Sequence, residues 1–357
     1  MRYPFIFSAG GTGGHIFPAL SVMDFLNSPV LLLTGKYGME KKILSKERVP
    51  FKTLPIKGIS EVSFLKKIMR FPGIFVSLFF SLFYILKYKP KVIVGFGGYA
   101  SFPVLFWARF LKIQYFLQEQ NSIPGQVTRF FSKGARAIFT GFPDTEISGN
   151  KIYTGNPLRR EFYNIPIKEK ITLPINLFII GGSQGSKFLD ETIGNILPFL
   201  KGIPLSVIHQ ARSEDISFLA QKYKESGIEA KIYEFIEKPW EIYQKADLVI
   251  SRAGALTVSE VISSGRCAIF IPFKGAAENH QYWNALWLSK DGAAFLIEEN
   301  EKTGENLLKV LREILNRPEI LIEMGKRAKE REVKDGMDLI RKFLLKAAGG
   351  GNAFQEI

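Results

Sequence analysis

The amino-acid sequence predicts an α/β protein with two Rossmann-like domains, each built on a parallel sheet, which face one another across a deep cleft. Two glycine clusters carry this prediction: GGTGGH at residues 10–15 and GGSQGS at residues 181–186 each follow a short apolar run, about half a chain apart. A strand, a tight glycine turn and a helix start form the opening unit of a nucleotide-binding fold. The length of 357 residues allows two such domains. Because clefts between domains hold ligands, we expect a ligand site there.

Apolar runs bounded by turn residues alternate with helical stretches, which is typical of parallel strands joined by crossover helices. Candidate strands lie at residues 3–8, 30–34, 92–96, 114–118 and 137–140 in the first half, and at residues 177–180, 205–209, 231–235, 248–251 and 268–271 in the second. The Pro-containing stretch at residues 155–166 is typical of a domain boundary. The sequence therefore predicts domains over 1–158 and 159–337, with the last helix, about 338–348, free to pack back on the first domain.

The composition argues against several classes of protein. The single cysteine, Cys267, has no partner for an internal disulfide, and the histidines at 15, 209 and 280 are too far apart in sequence for a local metal motif. The first residues run into a glycine loop without the pattern of a secretory leader. We therefore expect an intracellular chain with no structural metal.

Positive charge is concentrated in the first half. Up to Gly155 there are 20 Lys and Arg against 7 Asp and Glu, whereas beyond it there are 28 against 27. A basic half favours nucleic acid, anionic lipid or a solvated surface. Binding to nucleic acid is not expected, because no such motif occurs and the basic residues are interleaved with Phe-rich apolar sequence.

Residues 64–91 favour the lipid interpretation. Their apolar core, residues 74–86, would form a helix of about 20 Å, shorter than the roughly 30 Å of a bilayer core. Gly73, Ser77 and Ser81 form a stripe of small residues for packing, which leaves an apolar face for a membrane surface. The predicted membrane contacts are Phe75, Phe79, Leu82 and Leu86, with Trp107 from the next apolar stretch. A buried core helix is the alternative.

The first glycine loop predicts a polar or anionic ligand at a helix start, with an ordinary tight turn as the alternative. The chain has neither a P-loop lysine nor GxGxxG at this loop, and LLLTGK lacks an acidic residue for a ribose, so NAD chemistry is not expected. His15, directly after the loop, is a candidate proton acceptor or a structural hydrogen-bonding group. Glu119 is a competing base or an orienting group, and Asn121 either binds hydroxyls or builds the turn before Pro124.

In the second half, GGSQGS is expected to direct backbone N–H groups and the Ser183 hydroxyl towards the cleft. AGALTVSE begins a helix whose N–H groups at Leu256 and Thr257 suit a diphosphate. Glu260, one turn on, either accepts hydrogen bonds from a ribose or simply favours the first helical turn. Gln281 lies in a polar cluster, ENHQYWNA, which suits sugar hydroxyls or a solvated loop.

Seven segments follow one another along nearly the whole chain: GGTGGHIFPAL, VGFGGYASFP, EQNSIPG, TGNPLR, GGSQGS, RAGALTVSE and NHQYWNA. Taken in this order, they closely resemble the MurG family of peptidoglycan N-acetylglucosaminyltransferases. The resemblance implies the two-domain glycosyltransferase B fold (GT-B), with UDP-N-acetylglucosamine (UDP-GlcNAc) held mainly by the second domain and a lipid-linked acceptor by the first. It also implies a peripheral position on the cytoplasmic face of the inner membrane, in agreement with the basic, apolar first half.

The resemblance further implies roles for single residues. The matched positions are Thr12, Gly13 and Gly14, with Asn121 nearby, in the loop that meets donor sugar and acceptor; Arg159 in GNP-x-R; Ser183 in the third glycine loop; Ile236 in the uracil-reading stretch; Ala255, Leu256, Thr257, Val258, Ser259 and Glu260 at the diphosphate and ribose; and Gln281 at N-acetylglucosamine. Gln118 departs from the family, which usually has histidine before Glu-Gln-Asn.

The implied reaction moves N-acetylglucosamine from UDP to the 4-hydroxyl of the muramyl sugar in undecaprenyl-pyrophosphoryl-MurNAc-pentapeptide (lipid I), with inversion, giving lipid II. A base, His15 with Glu119 as the alternative, takes the proton of the acceptor hydroxyl. Asp-x-Asp is absent from the sequence, so no metal or other cofactor is expected to be obligatory. The rival interpretations are a related transferase that glycosylates a membrane diacylglycerol and, more distantly, a non-catalytic basic protein that binds nucleic acid.

Overall fold

The computed structural model describes residues 3–37, 40–45, 47–56, 64–182 and 185–350. The chain forms two compact units: unit 1 holds the described residues up to Arg159 and from Val333 onward, and unit 2 is Arg160–Glu332. The chain therefore leaves unit 1 after Arg159 and returns at Val333, compared with the predicted boundaries after 158 and 337.

Unit 1 alternates strands and helices. Its strands are β1 (Phe5–Ser8), β2 (Val30–Gly35), β3 (Phe51–Leu54), β4 (Val92–Gly95), β5 (Gln114–Glu119), β6 (Ile138–Thr140) and β7 (Lys151–Tyr153). Its helices are α1 (Gly13–Leu26), α2 (Glu40–Leu44), α3 (Phe64–Tyr88), α4 (Ser101–Phe110), α5 (Gln126–Phe131) and, after the chain returns, α14 (Gly336–Ala348).

Unit 2 repeats this alternation. Its strands are β8 (Ile175–Ile180), β9 (Leu205–Gln210), β10 (Glu229–Tyr233), β11 (Leu248–Ser251), β12 (Cys267–Phe270) and β13 (Phe295–Leu296). Its helices are α6 (Arg160–Tyr163), α7 (Lys187–Ile196), α8 (Ile216–Ser226), α9 (Pro239–Lys245), α10 (Ala255–Ser264), α11 (His280–Ser289), α12 (Thr303–Asn316) and α13 (Glu319–Lys329).

Each unit contains one parallel sheet whose first strand lies in its interior. The strand order is β3-β2-β1-β4-β5-β6-β7 in unit 1 and β10-β9-β8-β11-β12-β13 in unit 2. The order reverses between β1 and β4, where Ser8 pairs with Gly95, and between β8 and β11, where Ile180 pairs with Ser251. Ligands of open α/β sheets bind beyond the carboxyl ends of the strands at such reversals. The fold thus locates one candidate site in each unit.

The interior strands are buried on both faces, as parallel strands covered by helices must be. The unit 1 cluster joins Ile6, Leu33, Ile93 and Leu117 to Val104 of α4. The unit 2 cluster is formed in the same way by Leu177, Ile179, Val207, Ile250 and Ile269 with Leu189 of α7 and Leu311 of α12. These two cores fix the ends of the central strands.

Helix α3 is longer than the sequence pattern predicts. It has 25 residues, which corresponds to about 38 Å, whereas only the apolar stretch 74–86 was expected to define it. No helix in the described ranges is both long and apolar enough to cross a membrane.

Helix α14 packs on unit 1. Phe343 is 3% exposed, and its ring centroid lies 5.9 Å from that of Phe139 in β6. The Gln114 side-chain amide donates to the Ala347 carbonyl at 3.3 Å. The start of α14 is equally close, because a Cβ at Gly336 would lie 1.9 Å from the Thr154 carbonyl oxygen.

Phe343→Ala is therefore expected to lower the free energy of unfolding of unit 1 by about 3–5 kcal/mol, because it leaves a cavity beside Phe139. Hydrogen exchange of the slowest amides in β5 and β6 measures this change. Phe110→Ala is the matched control, since the Phe110 side chain is 69% exposed. An equal effect of both variants would contradict the packing role of α14.

Candidate active site

Two loops meet at the order reversal of unit 1. Loop 1 (residues 9–12) joins β1 to α1, and loop 2 (residues 96–100) joins β4 to α4. The Ser8 hydroxyl donates to the Ala100 carbonyl at 3.1 Å, and the Ser101 hydroxyl donates to the Ser8 carbonyl at 2.8 Å. These reciprocal bonds hold the two loops together at the carboxyl edge of the sheet.

His15 lies in the first turn of α1, half-buried against loop 2. Its Nδ1 is 3.4 Å from the Thr12 hydroxyl oxygen. A Cβ at Gly97 would lie 3.3 Å from His15 Nε2, and one at Gly98 would lie 3.3 Å from Nδ1. The imidazole therefore fits against backbone that carries no side chain. The structure brings together four predicted residues here, namely Thr12, Gly13, Gly14 and His15.

Among the described residues, no side chain caps the start of α1. Thr12 occupies the N-cap position with extended backbone, but its side chain accepts no hydrogen bond from the first turn. The N–H groups at a helix start carry partial positive charge and suit an anionic or polar ligand. Gly13 and Gly14 add no side chains that would cover them.

Glu119 ends β5 and is 2% exposed. Its Oε1 accepts from the Asn121 backbone N–H at 3.1 Å, and its Oε2 accepts from the Gly125 N–H at 3.0 Å. Burial raises the pKa of the Glu119 carboxyl, and the hydrogen bonds from Asn121, Thr128 and Gly125 partly oppose that rise. The carboxylate thus closes the turn that follows β5, and the half-buried Asn121 belongs to the same turn.

A buried amide network connects this strand end to its neighbours. The Gln118 side chain donates to the Asn156 side-chain oxygen at 3.0 Å, and the Asn156 side chain donates to the Gln120 carbonyl at 3.0 Å. The Gln120 side chain donates to the Phe96 carbonyl of loop 2 at 2.9 Å. Gln118, the position that departs from the family pattern, is therefore a structural group. Gln120 and Asn156 lie in the EQNSIPG and TGNPLR segments, but neither was predicted as a site residue.

Arg159 is the last residue of unit 1 before the chain leaves it. Its guanidinium carbon lies 5.0 Å from the ring centroid of Phe17 in α1. This cation–π contact keeps Arg159 beside the helix that begins at Gly13.

In unit 2, Arg252 organises the order reversal between β8 and β11. It is 6% exposed, and its Nε donates to the Ser186 hydroxyl at 2.9 Å. Its Nη1 donates to the Ile271 carbonyl at 3.1 Å and forms an ion pair with Glu299 at 2.5 Å. Ser186 also caps α7 by accepting from the Leu189 N–H at 3.3 Å. One side chain therefore connects three loops, although Arg252 was not predicted as a site residue. Ser183 lies outside the described residues.

Helix α10 begins at Ala255 with Gly254 as its N-cap residue, so no side chain caps it. Leu256 and Thr257 are half-buried, whereas Ala255 and Val258 are buried. The hydroxyl of the buried Ser259 donates to the Ala255 carbonyl at 3.0 Å. The N-terminal N–H groups of α10 therefore carry no side-chain cap, whereas the Ser259 hydroxyl bonds within the helix.

Glu260 lies half-buried in the second turn of α10. Burial, together with the neighbouring Glu260 carboxylate, raises the pKa of the Tyr243 hydroxyl well above its ordinary value. Glu260 therefore lies near enough to the fully buried Tyr243 of α9 for its charge to act on that hydroxyl.

Gln281 and Ile236 lie on other loops of unit 2. Gln281 is in the first turn of α11, and its Oε1 accepts from the Phe273 N–H at 3.0 Å. The Asn284 side chain donates to the Ala253 carbonyl at 3.2 Å, which fastens α11 to the start of α10. Ile236 is half-buried in the loop after β10.

The residues just before α11 have unusual backbone. Glu278 and Asn279 have φ angles of 50° and 54°, which places both in the left-handed region. Non-glycine residues adopt this conformation rarely, and such strain clusters at functional sites. The sequence pattern marked this segment only by its polarity.

Within the described ranges, no group of three or more His, Cys, Asp or Glu side chains is placed to hold a metal ion. The other two histidines, His209 and His280, lie in unit 2. His209 is fully buried between Asp190 Oδ1 at 3.1 Å and the Tyr223 hydroxyl at 3.0 Å. His280 Nδ1 lies 2.8 Å from the Ala277 carbonyl oxygen.

Helix α3 presents an apolar face to solvent. Phe75, Phe79 and Leu86 are 66%, 67% and 56% exposed, whereas Ser77 and Ser81 are fully buried. The stripe of small residues therefore packs inward, as predicted, and the alternative of a wholly buried core helix is wrong. Leu82 is half-buried.

Trp107 is turned towards α3. It is half-buried, and its indole N–H donates to the Leu78 carbonyl at 2.8 Å. The outward positions near it are instead Phe106, Phe110 and Phe130, which are 37%, 69% and 61% exposed. The apolar surface of unit 1 thus extends from α3 over α4 to α5.

Two Rossmann-like units, each with glycine loops and an uncapped helix start at its order reversal, form the architecture of the GT-B class, and the family matches show that the chain is a glycosyltransferase. The sequence matches the glycosyltransferase family 28 N-terminal domain over residues 5–140 and the family 28 C-terminal domain over residues 176–340.

Individual relatives of the chain support the same family assignment. The chain is 35% identical, over 93% of its length and 95% of the relative, to the UDP-N-acetylglucosamine--N-acetylmuramyl-(pentapeptide) pyrophosphoryl-undecaprenol N-acetylglucosamine transferase of Wolbachia sp. subsp. Drosophila simulans (strain wRi). It is 36% identical to the enzyme of the same name from Cupriavidus metallidurans, over 85% of this chain and 87% of the relative. The crystal structure of Acinetobacter baumannii MurG matches with a TM-score of 0.79 and 29% identity, over 97% of this chain and 100% of that one. The chain belongs to the MurG family.

Glu119→Gln is expected to destabilise unit 1 by about 1–3 kcal/mol at acidic pH, because an amide NH₂ then faces one of the two backbone N–H groups. The penalty should shrink as the pH rises. The pKa of Glu119 is raised in the folded state. The protonated Glu119 side chain therefore contributes its full stability below the ordinary pKa of a glutamate, and this contribution is lost as the pH rises through the folded-state pKa.

Urea unfolding across this pH range, followed by hydrogen exchange in β5, measures both effects. The exposed Glu146 provides the matched control, Glu146→Gln. A penalty that grows with pH would show that the carboxylate is stabilised rather than penalised by its surroundings.

Proposed function

We propose that the chain transfers N-acetylglucosamine from UDP-GlcNAc to the muramyl 4-hydroxyl of lipid I, forming lipid II, with inversion at the anomeric carbon. The observation that carries this proposal is the match to N-acetylglucosaminyltransferases of this name at 35% identity over 93% of the chain. The diacylglycerol glycosyltransferase and the nucleic-acid-binding protein are not favoured by these relatives.

His15 is the proposed base. Its imidazole is half-buried and lies against loop 2, and a neutral imidazole accepts a proton near neutral pH. In a single displacement it takes the proton of the acceptor hydroxyl while the bond to UDP breaks. Glu119, the alternative, is less suited, because both of its oxygens already accept backbone hydrogen bonds within a buried turn.

Unit 1 is proposed to meet the acceptor and the transferred sugar through Thr12, Gly13, Gly14 and Asn121, with Arg159 beside α1. Thr12 and the glycines support this role because they surround an uncapped helix start next to His15. Their N–H groups suit the polar groups of a sugar or a pyrophosphate.

Unit 2 is proposed to hold UDP-GlcNAc. The N–H groups at Leu256 and Thr257 are the proposed contacts for the diphosphate and for the charge that develops on the departing UDP, and the uncapped start of α10 supports this role. Glu260 is the proposed ribose contact, Ile236 the uracil contact and Gln281 the N-acetylglucosamine contact, with Ser183 in loop 3 (residues 181–186). We propose no obligatory metal, since the sequence contains no Asp-x-Asp for one.

The apolar face of unit 1 is proposed to rest on the cytoplasmic face of an anionic inner membrane. Phe75, Phe79 and Leu86 are exposed on α3, and the exposed Lys87 lies 5.5 Å from the Phe83 ring centroid. Exposed apolar patches of this kind, mixed with basic residues, are typical of membrane contacts. This position would bring unit 1 to the lipid-linked acceptor.

His15→Ala is expected to lower kcat by about 10²–10⁴-fold and to leave the KM for UDP-GlcNAc nearly unchanged, because the donor is held by unit 2. UDP release with a short-chain lipid I analogue, in the presence and absence of EDTA, measures the rate. Glu119→Gln is compared in parallel. A near-normal rate for His15→Ala with a collapse for Glu119→Gln would transfer the base to Glu119.

Phe75→Ser combined with Phe79→Ser is expected to weaken binding to phosphatidylglycerol vesicles by about 100-fold or more, because two rings no longer enter the lipid. Vesicle co-sedimentation measures this, and circular dichroism checks the fold. Phe199→Ser is the matched control, since Phe199 is 64% exposed in unit 2. Equal loss in both variants would argue against a membrane face on α3.

A further inference from the structure

We infer that Glu40 is a positioning residue that fixes loops 1 and 2 around His15. The inference deepens the proposed function and rests on it, because it takes His15 as the base. Glu40 is the first residue of α2 and is 1% exposed. Such a buried side chain touches no substrate and acts through the loops it binds.

One oxygen of Glu40 holds both loops. Its Oε1 accepts from the Gly11 N–H of loop 1 at 2.8 Å and from the Tyr99 hydroxyl of loop 2 at 2.9 Å. Gly11 precedes His15 by four residues, and Tyr99 directly follows the Gly97 and Gly98 backbone on which the imidazole rests. The carboxylate therefore anchors the two segments that set the position of the ring.

The surrounding backbone leaves space for this carboxylate and for nothing larger. A Cβ at Gly35 would lie 2.7 Å from Glu40 Oε1 and 2.8 Å from the Tyr99 hydroxyl oxygen, and one at Gly10 would lie 3.2 Å from Oε1. Gly11 has φ +102°, and a Cβ there would lie 3.3 Å from the Tyr99 ring. Three glycines thus enclose one acceptor atom.

The second oxygen adds an energetic argument. Glu40 Oε2 is enclosed and makes no hydrogen bond within the described part of the chain. An enclosed polar atom without a partner is unfavourable, and native folds contain few of them. Within the described residues, both hydrogen bonds of the Glu40 side chain are made by Oε1 and go to the two loops around His15.

Movement of a base by about 1 Å can reduce turnover by about 10²-fold. Glu40→Ala removes the acceptor for Gly11 and Tyr99, and it is expected to lower kcat by about 30- to 100-fold without changing the KM for UDP-GlcNAc. Glu40→Gln keeps an acceptor oxygen and is expected to stay within about fivefold of the parent. The exposed Glu47 provides the control variant, Glu47→Ala.

A double-variant cycle separates positioning from a general loss of fold. In the His15→Ala background, Glu40→Ala is expected to have less than about a threefold further effect, since its role is exerted through His15. A full additional loss in that background would overturn the inference. So would a Glu40→Ala enzyme of normal kcat, or a Glu40→Gln enzyme as slow as Glu40→Ala.

Hydrogen exchange tests the same contact without any assay of activity. Amides in peptides that cover residues 9–17 should exchange faster in Glu40→Ala, whereas the amides of unit 2 should exchange at the parent rate. Unchanged exchange in residues 9–17 would overturn the inference. If the parent chain transfers no sugar to lipid I, the proposed function fails while exchange still decides whether Glu40 holds loop 1. If Glu40→Ala does not fold, Tyr99→Phe is tested in its place, because it removes one of the two donors to Glu40. The expected loss of kcat is then about 3- to 10-fold.

Discussion

The close approach of two backbone loops at the carboxyl edge of the unit 1 sheet is the constraint on which the candidate site depends. A Cβ at Gly98 would lie 2.0 Å from the Gly10 carbonyl oxygen, and a Cβ at Gly10 would lie 2.6 Å from the Ala100 Cβ. Any side chain at these positions would push apart loop 1, which follows β1, and loop 2, which follows β4. Because the two loops lie so close together, the His15 ring packs against the glycine backbone of loop 2. In unit 2 the close approach lies within a single loop, since a Cβ at Gly181 would lie 2.5 Å from the nitrogen of Ser186 in the same loop.

The two units fasten their loops with opposite charges. Unit 1 uses the Glu40 carboxylate, which accepts from a backbone N–H and a hydroxyl, whereas unit 2 uses the Arg252 guanidinium, which donates to carbonyls, a hydroxyl and Glu299. A buried ion is favoured where its hydrogen bonds are satisfied, which within the described residues holds for the Arg252 guanidinium and for Oε1 of Glu40. Each charge therefore also makes its loop arrangement specific, because a shifted loop would leave that charge without partners.

The sequence patterns predicted the interior of both sheets and left out some of their edges. Long apolar runs mark β1, β4, β8 and β11 because these strands are buried on both faces. The strands without a prediction are β3, β7 and β13, which lie at sheet edges. They are short or partly exposed, so their sequences lack a continuous apolar run.

The presence or absence of a local sequence pattern also explains which site residues were predicted and which were not. His15 and the glycine loops were predictable because each loop follows a local pattern of apolar strand, glycine turn and helix start, although the contact of His15 with Gly97 is itself distant in sequence. Glu40 and Tyr99 are 59 residues apart, and Arg252 and Ser186 are 66 apart. No local spacing encodes such pairs.

On helix α3, by contrast, a local pattern was sufficient to predict which face is exposed. The buried stripe with Ser77 and Ser81 lets the helix lie close to its neighbours, and the larger rings Phe75 and Phe79 must then project from the opposite side. The exposed apolar face is thus a geometric consequence of where the small residues are.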